Sequence, residues 1–140
     1  MSIKHLDHLN LTVSSLEKSI EWYAQIFGFK VVERGQREEG SWAIIRSGES
    51  TLCIFEDASR IGPDRFGQDE KKRHVIYHMG FRITDRDAWL EQVRIHNIEL
   101  EFGGENKYPH SSSWYVSDPT GYCIEVVAWK DDEIRFEHVA

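Results

Sequence analysis

The sequence predicts an α+β fold made of two βαβββ modules, and three observations support this prediction. First, two strand-like segments resemble each other: residues 8–14 and residues 78–84 both begin with histidine, alternate in polarity and end in serine or threonine. Second, each segment leads into a stretch with apolar residues at helical spacing. Third, each half then carries three further strand-like runs separated by turn residues. The repeat indicates two similar modules within one domain of 140 residues.

In the first module, residues 4–13 alternate in polarity like a half-buried strand. Ser14 or Ser15 is a suitable N-cap for the helix that follows, which carries apolar residues at helical spacing as far as Phe27. Gly28 is suited to end that helix. The remaining strands of this module are predicted over residues 29–33, 42–46 and 51–55, the last two as a hairpin.

The second module repeats this order. Residues 74–83 are predicted to form a strand, Asp85 or Asp87 to cap a helix, and Asn97 to end it. The remaining strands are predicted over residues 98–102, 113–117 and 122–129, the last two around the turn sequence Asp118-Pro119-Thr120-Gly121.

The boundaries of the modules follow from a change in pattern. Residues 57–73 are polar, glycine-bearing and aperiodic, which is typical of a connecting segment. We therefore predict a single domain with module one over about residues 4–56, a linker over 57–73 and module two over about 74–129. A solvated connector is the simpler interpretation of the linker, and a lid is the alternative.

Composition restricts the partners. The net charge of -7 argues against a nucleic-acid partner, and no apolar run has the length that a membrane span needs, about 20 residues. The N-terminus lacks the apolar region of a signal peptide. Cys53 and Cys123 lie in apolar strand-like runs and are predicted to be free, buried thiols. We expect a cytoplasmic protein that acts on a small molecule.

A trio of potential metal ligands lies on the predicted strands: His8, His78 and Glu125. Alternation places each of them on the strand face opposite its apolar neighbours, and hence opposite the helices. Two histidines and one carboxylate form a site that leaves coordination positions open. For each residue alone an ordinary strand position is the simpler interpretation, whereas the repeated trio in register favours a divalent metal.

Other residues are candidates for substrate binding. Asn10 and Arg82 lie on the same strand faces as the trio, and Arg82 is suited to an anionic group. Trp42 is predicted to line an aromatic groove. A salt bridge from Arg82 to Glu125, or a surface ion pair, is the alternative for Arg82, and ordinary strand packing is the alternative for Trp42.

Four segments of the chain resemble the vicinal oxygen chelate superfamily, which includes glyoxalases, bleomycin resistance proteins and ring-cleaving dioxygenases. The resemblance covers residues 4–129, nearly the whole chain, and rests on residues 7–13, 19–29, 78–81 and 115–125. It implies that the two modules curl into a half-barrel of mixed sheet around one divalent metal, with helices on the outer face. Its metal positions fall on His8, His78 and Glu125. It also implies a homodimer, with modules paired within one chain or between two.

Within that family the favoured activity is a dioxygenase of catechol-like substrates with vicinal oxygens, because residues 115–125 resemble the end of the ring-cleaving dioxygenase signature. Tyr115 resembles the tyrosine that hydrogen-bonds such a substrate, and His110 is the candidate acid–base residue. Only four residues separate them, fewer than the dioxygenase pattern has. His74, on the same strand face as His78, is the alternative. Fe(II) is the favoured metal, and Mn(II), Zn(II), Ni(II) and Co(II) suit the same ligands.

Three other activities remain open at this stage. A fosfomycin-type thiol transferase has the same ligand trio, but its Ser-Glu-Gly-x-Ser loop aligns with residues 110–113, which lack the glutamate and the glycine. A glyoxalase-like lyase needs an acidic fourth ligand; the matching run, residues 51–55, has none, and Glu56 lies just beyond it. A metal-free binding module would use an aromatic groove, with candidates Trp42, Phe55, Trp114, Tyr115 and Tyr122.

Overall fold

A computed structural model describes residues 2, 4–57, 59 and 76–136 of the chain. Its regular elements follow the predicted order, and the prediction of an α+β fold with two βαβββ modules is confirmed. The first module contains β1 (Leu9–Val13), α1 (Leu16–Phe27), β2 (Lys30–Arg37), β3 (Gly40–Ser47) and β4 (Ser50–Glu56). The second contains β5 (Met79–Ile83), α2 (Arg86–Ile95), β6 (Asn106–Lys107), β7 (Ser111–Ser117) and β8 (Cys123–Trp129).

The strands form two open four-stranded sheets with the same topology. The first has the order β1-β4-β3-β2 and the second the order β5-β8-β7-β6. In each sheet the first strand of the module pairs in parallel with the last, and the other pairs are antiparallel. The internal repeat in the sequence therefore corresponds to a repeat in strand pairing.

The first helix begins and ends at the residues that the sequence indicates. The Ser15 side chain accepts a hydrogen bond from the Lys18 N–H at 3.4 Å. A carboxylate oxygen of Glu56, at the end of β4, accepts one from the Leu16 N–H at 2.6 Å. At the other end Gly28 adopts φ 67°, the left-handed conformation that glycine takes at little cost. Glu56 is thus a partner of the helix N-terminus. It can reach this position because the parallel pairing of β1 with β4 places Glu56 opposite Val13, just before the helix.

The predicted strand over residues 98–102 is wrong. The Ile98 N–H donates to the Val93 carbonyl at 2.9 Å, so it closes the end of α2 instead of entering a sheet. Asn97, with φ 48°, provides the left-handed residue at that helix end, as predicted. Phe102 also has a positive φ, 53°, which is incompatible with an extended strand. The strand that occupies this place in the topology is the two-residue β6.

The strands that carry the histidines are shorter than predicted. The parallel ladders begin at Leu9, opposite Leu52, and at Met79, opposite Ile124. His8 and His78 therefore each lie immediately before a strand. Polarity alternation indicates which side a residue faces, but it does not indicate where a neighbouring strand begins to supply hydrogen bonds.

The described residues pack into two compact units. The first consists of the described part of residues 2–59 together with Asp118–Gly121, and the second of residues 76–117 with 122–136. The turn Asp118–Gly121 connects β7 to β8 and yet belongs to the first unit. There the Tyr23 hydroxyl donates to Asp118 Oδ2 at 2.9 Å, and the Ser14 N–H donates to Thr120 Oγ1 at 3.1 Å.

Some predictions lie outside the described residues. Of the predicted linker only Asp57 and Ser59 are described, and His74 is not. Both cysteines are described, and neither is in a disulfide, as predicted; Cys123 is buried as predicted, whereas Cys53 is only half-buried. Within the described part of the chain, neither helix is long and apolar enough to cross a membrane.

The bond between Tyr23 and Asp118 generates a stability prediction. Both residues are fully buried, at 0% and 1% exposure, so Tyr23→Phe leaves a buried carboxylate with one donor fewer. We expect the free energy of unfolding to fall by about 1–3 kcal/mol in urea denaturation. Tyr77→Phe removes the same hydroxyl from a residue that is 66% exposed, and it should change stability by less than about 0.5 kcal/mol. Equal effects of the two variants would contradict the prediction.

Candidate functional site

Three strands of the second sheet carry the polar face of the candidate site. Gly80 on β5 lies opposite Glu125 on β8, and Tyr115 on β7 lies opposite Glu125 from the other side. The intervening residues Phe81, Val126 and Trp114 are aligned in the same way and form the apolar face. Side chains alternate along a strand, so Glu125 faces away from the apolar core, as predicted.

His78 and Glu125 are brought together. His78 Nε2 lies 3.1 Å from Glu125 Oε2, and the two side chains are 30% and 21% exposed. The other ring nitrogen, Nδ1, is buried and has no hydrogen-bond partner among the described residues. The contact with Glu125 is made by Nε2.

Ser113 holds the second oxygen of the same carboxylate. Its hydroxyl donates to Glu125 Oε1 at 2.6 Å, and its own exposure is 1%. Ser113 lies two residues before Tyr115 on β7, which places it diagonally across from Glu125. The sequence analysis missed this residue. The sequence does show that Ser113 and Tyr115 share a face, because they lie two residues apart on one strand. The contact of Ser113 with Glu125 on the neighbouring strand also depends on the register of the hairpin, which the sequence does not show.

The His78–Glu125 pair fits a metal site in its donor chemistry and spacing. Metal bonds to histidine nitrogen and carboxylate oxygen are about 2.1 Å long, so neighbouring ligands of one ion lie about 3 Å apart, close to the 3.1 Å observed. Among the described residues, no group of three or more His, Cys, Asp or Glu side chains is close enough to hold an ion. The structure thus supplies two candidate ligands side by side.

His8 lies in the first unit, beside a carboxylate of its own. Its Nδ1 atom is 2.7 Å from Asp7 Oδ1, and its side chain is 47% exposed. The hydrogen bond from His8 lowers the pKa of Asp7 below its usual value. A carboxylate on Nδ1 leaves Nε2 as the nitrogen available to a metal, which is a common arrangement for metal-ligating histidines.

Tyr115 lies among aromatic rings next to the pair. Its ring meets that of His78 edge to face at 5.7 Å between centroids, and that of Phe102 at 5.1 Å. Burial, the hydrogen bond with Tyr108 and the negative charge of Glu125 raise the pKa of Tyr115 well above its usual value. The phenol therefore stays protonated at physiological pH and acts as a hydrogen-bond donor.

Two further candidates are not part of this cluster: His110 lies away from it along the strand, and Arg82 has another partner. His110 precedes β7 by one residue and Tyr115 by five, a distance of roughly 16 Å along an extended strand. Its carbonyl accepts a hydrogen bond from the Lys130 N–H at 2.9 Å. The Arg82 guanidinium forms an ion pair with Asp132, including a bond from Nε at 3.1 Å. Arg82 thus makes the surface pair that the sequence left open as its alternative.

The first unit carries an open groove on the face of its sheet opposite α1. The groove encloses about 550 Å³, and Asn10 and Trp42 line it together with Phe55 and Cys53. Arg37 lies over the Trp42 ring at 5.8 Å from the centroid. Trp114, a further groove candidate, is 1% exposed and lies on the apolar face of the second sheet, so packing in the core is its role here.

Comparison with known proteins identifies the family to which the chain belongs. The sequence model of the Glyoxalase/Bleomycin resistance protein/Dioxygenase superfamily matches residues 5–126. The chain belongs to this superfamily. The resemblance seen in the sequence is therefore confirmed, and the superfamily is named for glyoxalases, bleomycin resistance proteins and dioxygenases.

Individual relatives differ in activity. The chain is 28% identical over 127 residues to catechol-2,3-dioxygenase of Bacillus subtilis, and the match covers 89% of the chain but 41% of that protein. It is 26% identical over 137 residues to lactoylglutathione lyase of Neisseria meningitidis, covering 93% of the chain and 96% of the lyase. The chain thus spans about two fifths of the length of the dioxygenase and nearly all of the lyase.

Solved structures agree on the superfamily fold. The crystal structure of a glyoxylase/bleomycin resistance protein/dioxygenase domain from Frankia sp. EAN1pec aligns with a TM-score of 0.73 and 21% identity. That alignment covers 98% of this chain and 96% of the other. At this level of identity the likeness concerns the fold.

The close approach of Gly35 to the Trp42 ring leads to a second prediction. A Cβ atom added at Gly35 would lie 2.7 Å from Trp42 Cζ2, so Gly35→Ala must displace the indole ring. We expect a loss of about 1–3 kcal/mol in urea unfolding, together with a change in tryptophan fluorescence. Gly80→Ala is the matched control, because a Cβ there meets no atom within 4 Å in the part of the chain that the structure describes. An unchanged fluorescence spectrum in Gly35→Ala would show that Trp42 does not occupy this position.

Proposed function

We propose that this chain is a metal-dependent enzyme that acts on a small molecule with two vicinal oxygens, and that its reaction is a dioxygenation of a catechol-like substrate. The observation that carries the proposal is the approach of His78 Nε2 to Glu125 Oε2 at 3.1 Å, with the Tyr115 phenol beside them. The match to catechol-2,3-dioxygenase supports the choice of reaction.

His78 and Glu125 would hold one divalent ion, with His8 as the third ligand, and Fe(II) is the favoured metal. When bound, such an ion supplies Lewis acidity toward vicinal oxygens and, as iron, redox chemistry toward dioxygen. The assignment of His8 rests on the internal repeat and on its contact with Asp7, which orients the ring. His8 could be supplied by the same chain or, in a homodimer, by a second copy.

Tyr115 positions and stabilises the substrate. Its raised pKa keeps the phenol neutral, so it can donate a hydrogen bond to a substrate oxygen that carries negative charge. A phenolate at this position would repel such an oxygen and the Glu125 carboxylate alike. Burial of the ring between His78 and Phe102 limits its rotation and keeps the donor in place.

Asn10 and Trp42, which line the groove of the first unit, are proposed substrate-binding residues. Trp42 and Phe55 offer flat apolar surfaces, and Asn10 offers an amide for a polar substituent. Arg82 is retained as a candidate for an anionic substituent, which would have to compete with Asp132 for the guanidinium.

A glyoxalase-like lyase is the second candidate function. The specific observation in its favour is the match to lactoylglutathione lyase along 96% of that enzyme. The fourth acidic ligand of such a lyase has no evident counterpart here, because Glu56 is engaged with the Leu16 N–H at the start of α1. Dioxygenase chemistry therefore remains our first choice.

Glu125→Gln tests the metal proposal. We expect purified wild-type protein to take up about one Fe(II) per chain and Glu125→Gln to lose most of it, because an amide is a weaker ligand than a carboxylate. Metal content by mass spectrometry and oxygen uptake with a catechol panel are the measurements. Asp132→Asn is the control, since it removes an exposed carboxylate outside the trio. Oxygen uptake no faster than with free Fe(II) would remove the dioxygenase assignment, and equal metal content in wild type and Glu125→Gln would remove the ligand assignment.

Tyr115→Phe tests the proposed donor and its pH dependence. We expect kcat to fall by about 10²-fold, as it does when a donor to a developing oxyanion is removed. The raised pKa predicts the form of the pH profile. A tyrosine with the ordinary pKa of about 10 would lose its proton and its function there, whereas Tyr115 remains a donor. Wild-type activity should therefore show no decline assignable to Tyr115 near pH 10.

His110→Gln belongs in the same experiment. A fall in kcat comparable with that of Tyr115→Phe would establish His110 as the acid–base residue, and an unchanged kcat would remove it from the reaction.

A further inference from the structure

A buried serine, Ser113, is hydrogen-bonded to one oxygen of Glu125 while the other oxygen faces His78. The two contacts are 2.6 Å and 3.1 Å long and use different carboxylate oxygens, Oε1 and Oε2. Ser113 is 1% exposed, so water does not compete for its hydroxyl. The carboxylate is therefore held by the Ser113 hydroxyl and by the His78 imidazole, and the Tyr115 phenol also hydrogen-bonds to it.

The strand on the other side offers Glu125 no such support. Gly80 lies directly opposite Glu125 on β5, and no atom of the described residues lies within 4 Å of the place that a Cβ would occupy there. Without Ser113, rotation of the carboxylate toward Gly80 would meet no described side chain at that position. The buried hydroxyl of Ser113 is thus a contact that favours one orientation of the carboxylate plane.

We propose that Ser113 is a positioning residue, which orients the Glu125 carboxylate so that Oε2 is presented beside His78 Nε2 as a metal ligand. This inference rests on the proposed metal-binding function and deepens it. Ser113 acts through Glu125 and is not itself a ligand. Partners that orient a metal ligand commonly contribute about 10- to 100-fold to metal affinity.

Mn²⁺ binding to the full chain, in the absence of substrate, provides the test. The free ion is measured by electron paramagnetic resonance during titration. We expect Ser113→Ala to raise the Kd for Mn²⁺ by about 10- to 100-fold. Ser111→Ala is the matched control, because Ser111 lies two residues earlier on the same strand and is buried to a similar extent, at 7% exposure. It should leave the Kd within about twofold of the wild-type value.

A pair of isosteric variants separates positioning from packing. Thr and Val have nearly the same shape, and only Thr carries a hydroxyl. Ser113→Thr should therefore retain most of the affinity for Mn²⁺, whereas Ser113→Val should lose it to the extent that Ser113→Ala does. Equal affinities of the Thr and Val variants would overturn the proposal, because a purely structural role of residue 113 does not depend on the hydroxyl.

A double-mutant comparison shows whether Ser113 acts through Glu125. If it does, Ser113→Ala should have no further effect on the Kd in protein that already carries Glu125→Gln. An additive effect would overturn the inference.

The outcomes also separate this inference from the proposed function. If wild type binds Mn²⁺, Glu125→Gln binds it much more weakly and Ser113→Ala binds it normally, the inference alone fails. If wild type and Glu125→Gln bind Mn²⁺ equally, the metal assignment of Glu125 fails and the inference fails with it.

Discussion

The rest of the candidate site depends on the hydrogen bonds that the buried carboxylate of Asp118 accepts. One of its oxygens accepts hydrogen bonds from the Thr120 and Gly121 N–H groups at 2.9 and 2.8 Å, and the other accepts the Tyr23 hydroxyl. These bonds fix the turn between β7 and β8 and thereby the register of the hairpin. A slip of one residue would exchange the two faces of a strand and would turn Glu125 toward the apolar core.

From that register the local chemistry follows step by step. Because Tyr115 lies opposite Glu125, Ser113 lies diagonal to it and is within reach of the carboxylate. Because the neighbouring strand carries glycine at position 80, no described side chain lies at that position beside Glu125. The second sheet thus presents a partly exposed carboxylate that Ser113 and His78 hold. A sheet with the same strand order in the first unit carries an aromatic groove instead.

Much of the fold could be predicted because its signals are local. Ser15 and Gly28 mark the ends of α1, and the turn sequence at residues 118–121 marks the hairpin. The segment 98–102 could not be predicted, because an apolar residue such as Ile98 fits a strand and a helix end equally well. In the site, the alternation of side chains along a strand was enough to predict the face on which Glu125 lies. The contact of Ser113 and the ion pair of Arg82 with Asp132 depend on register and on the chain after β8, which no local pattern specifies.

The parallel pairing of the first and last strands within each module has a consequence for the order of events during synthesis. β1 can complete its ladder only after β4 has left the ribosome, and β5 only after β8. The first unit also includes Asp118–Gly121, so it is incomplete until most of the polypeptide has been made. If the chain were cut between its two repeats, the N-terminal fragment would lack a part of its unit, because it would have no residues to fill the place of that turn.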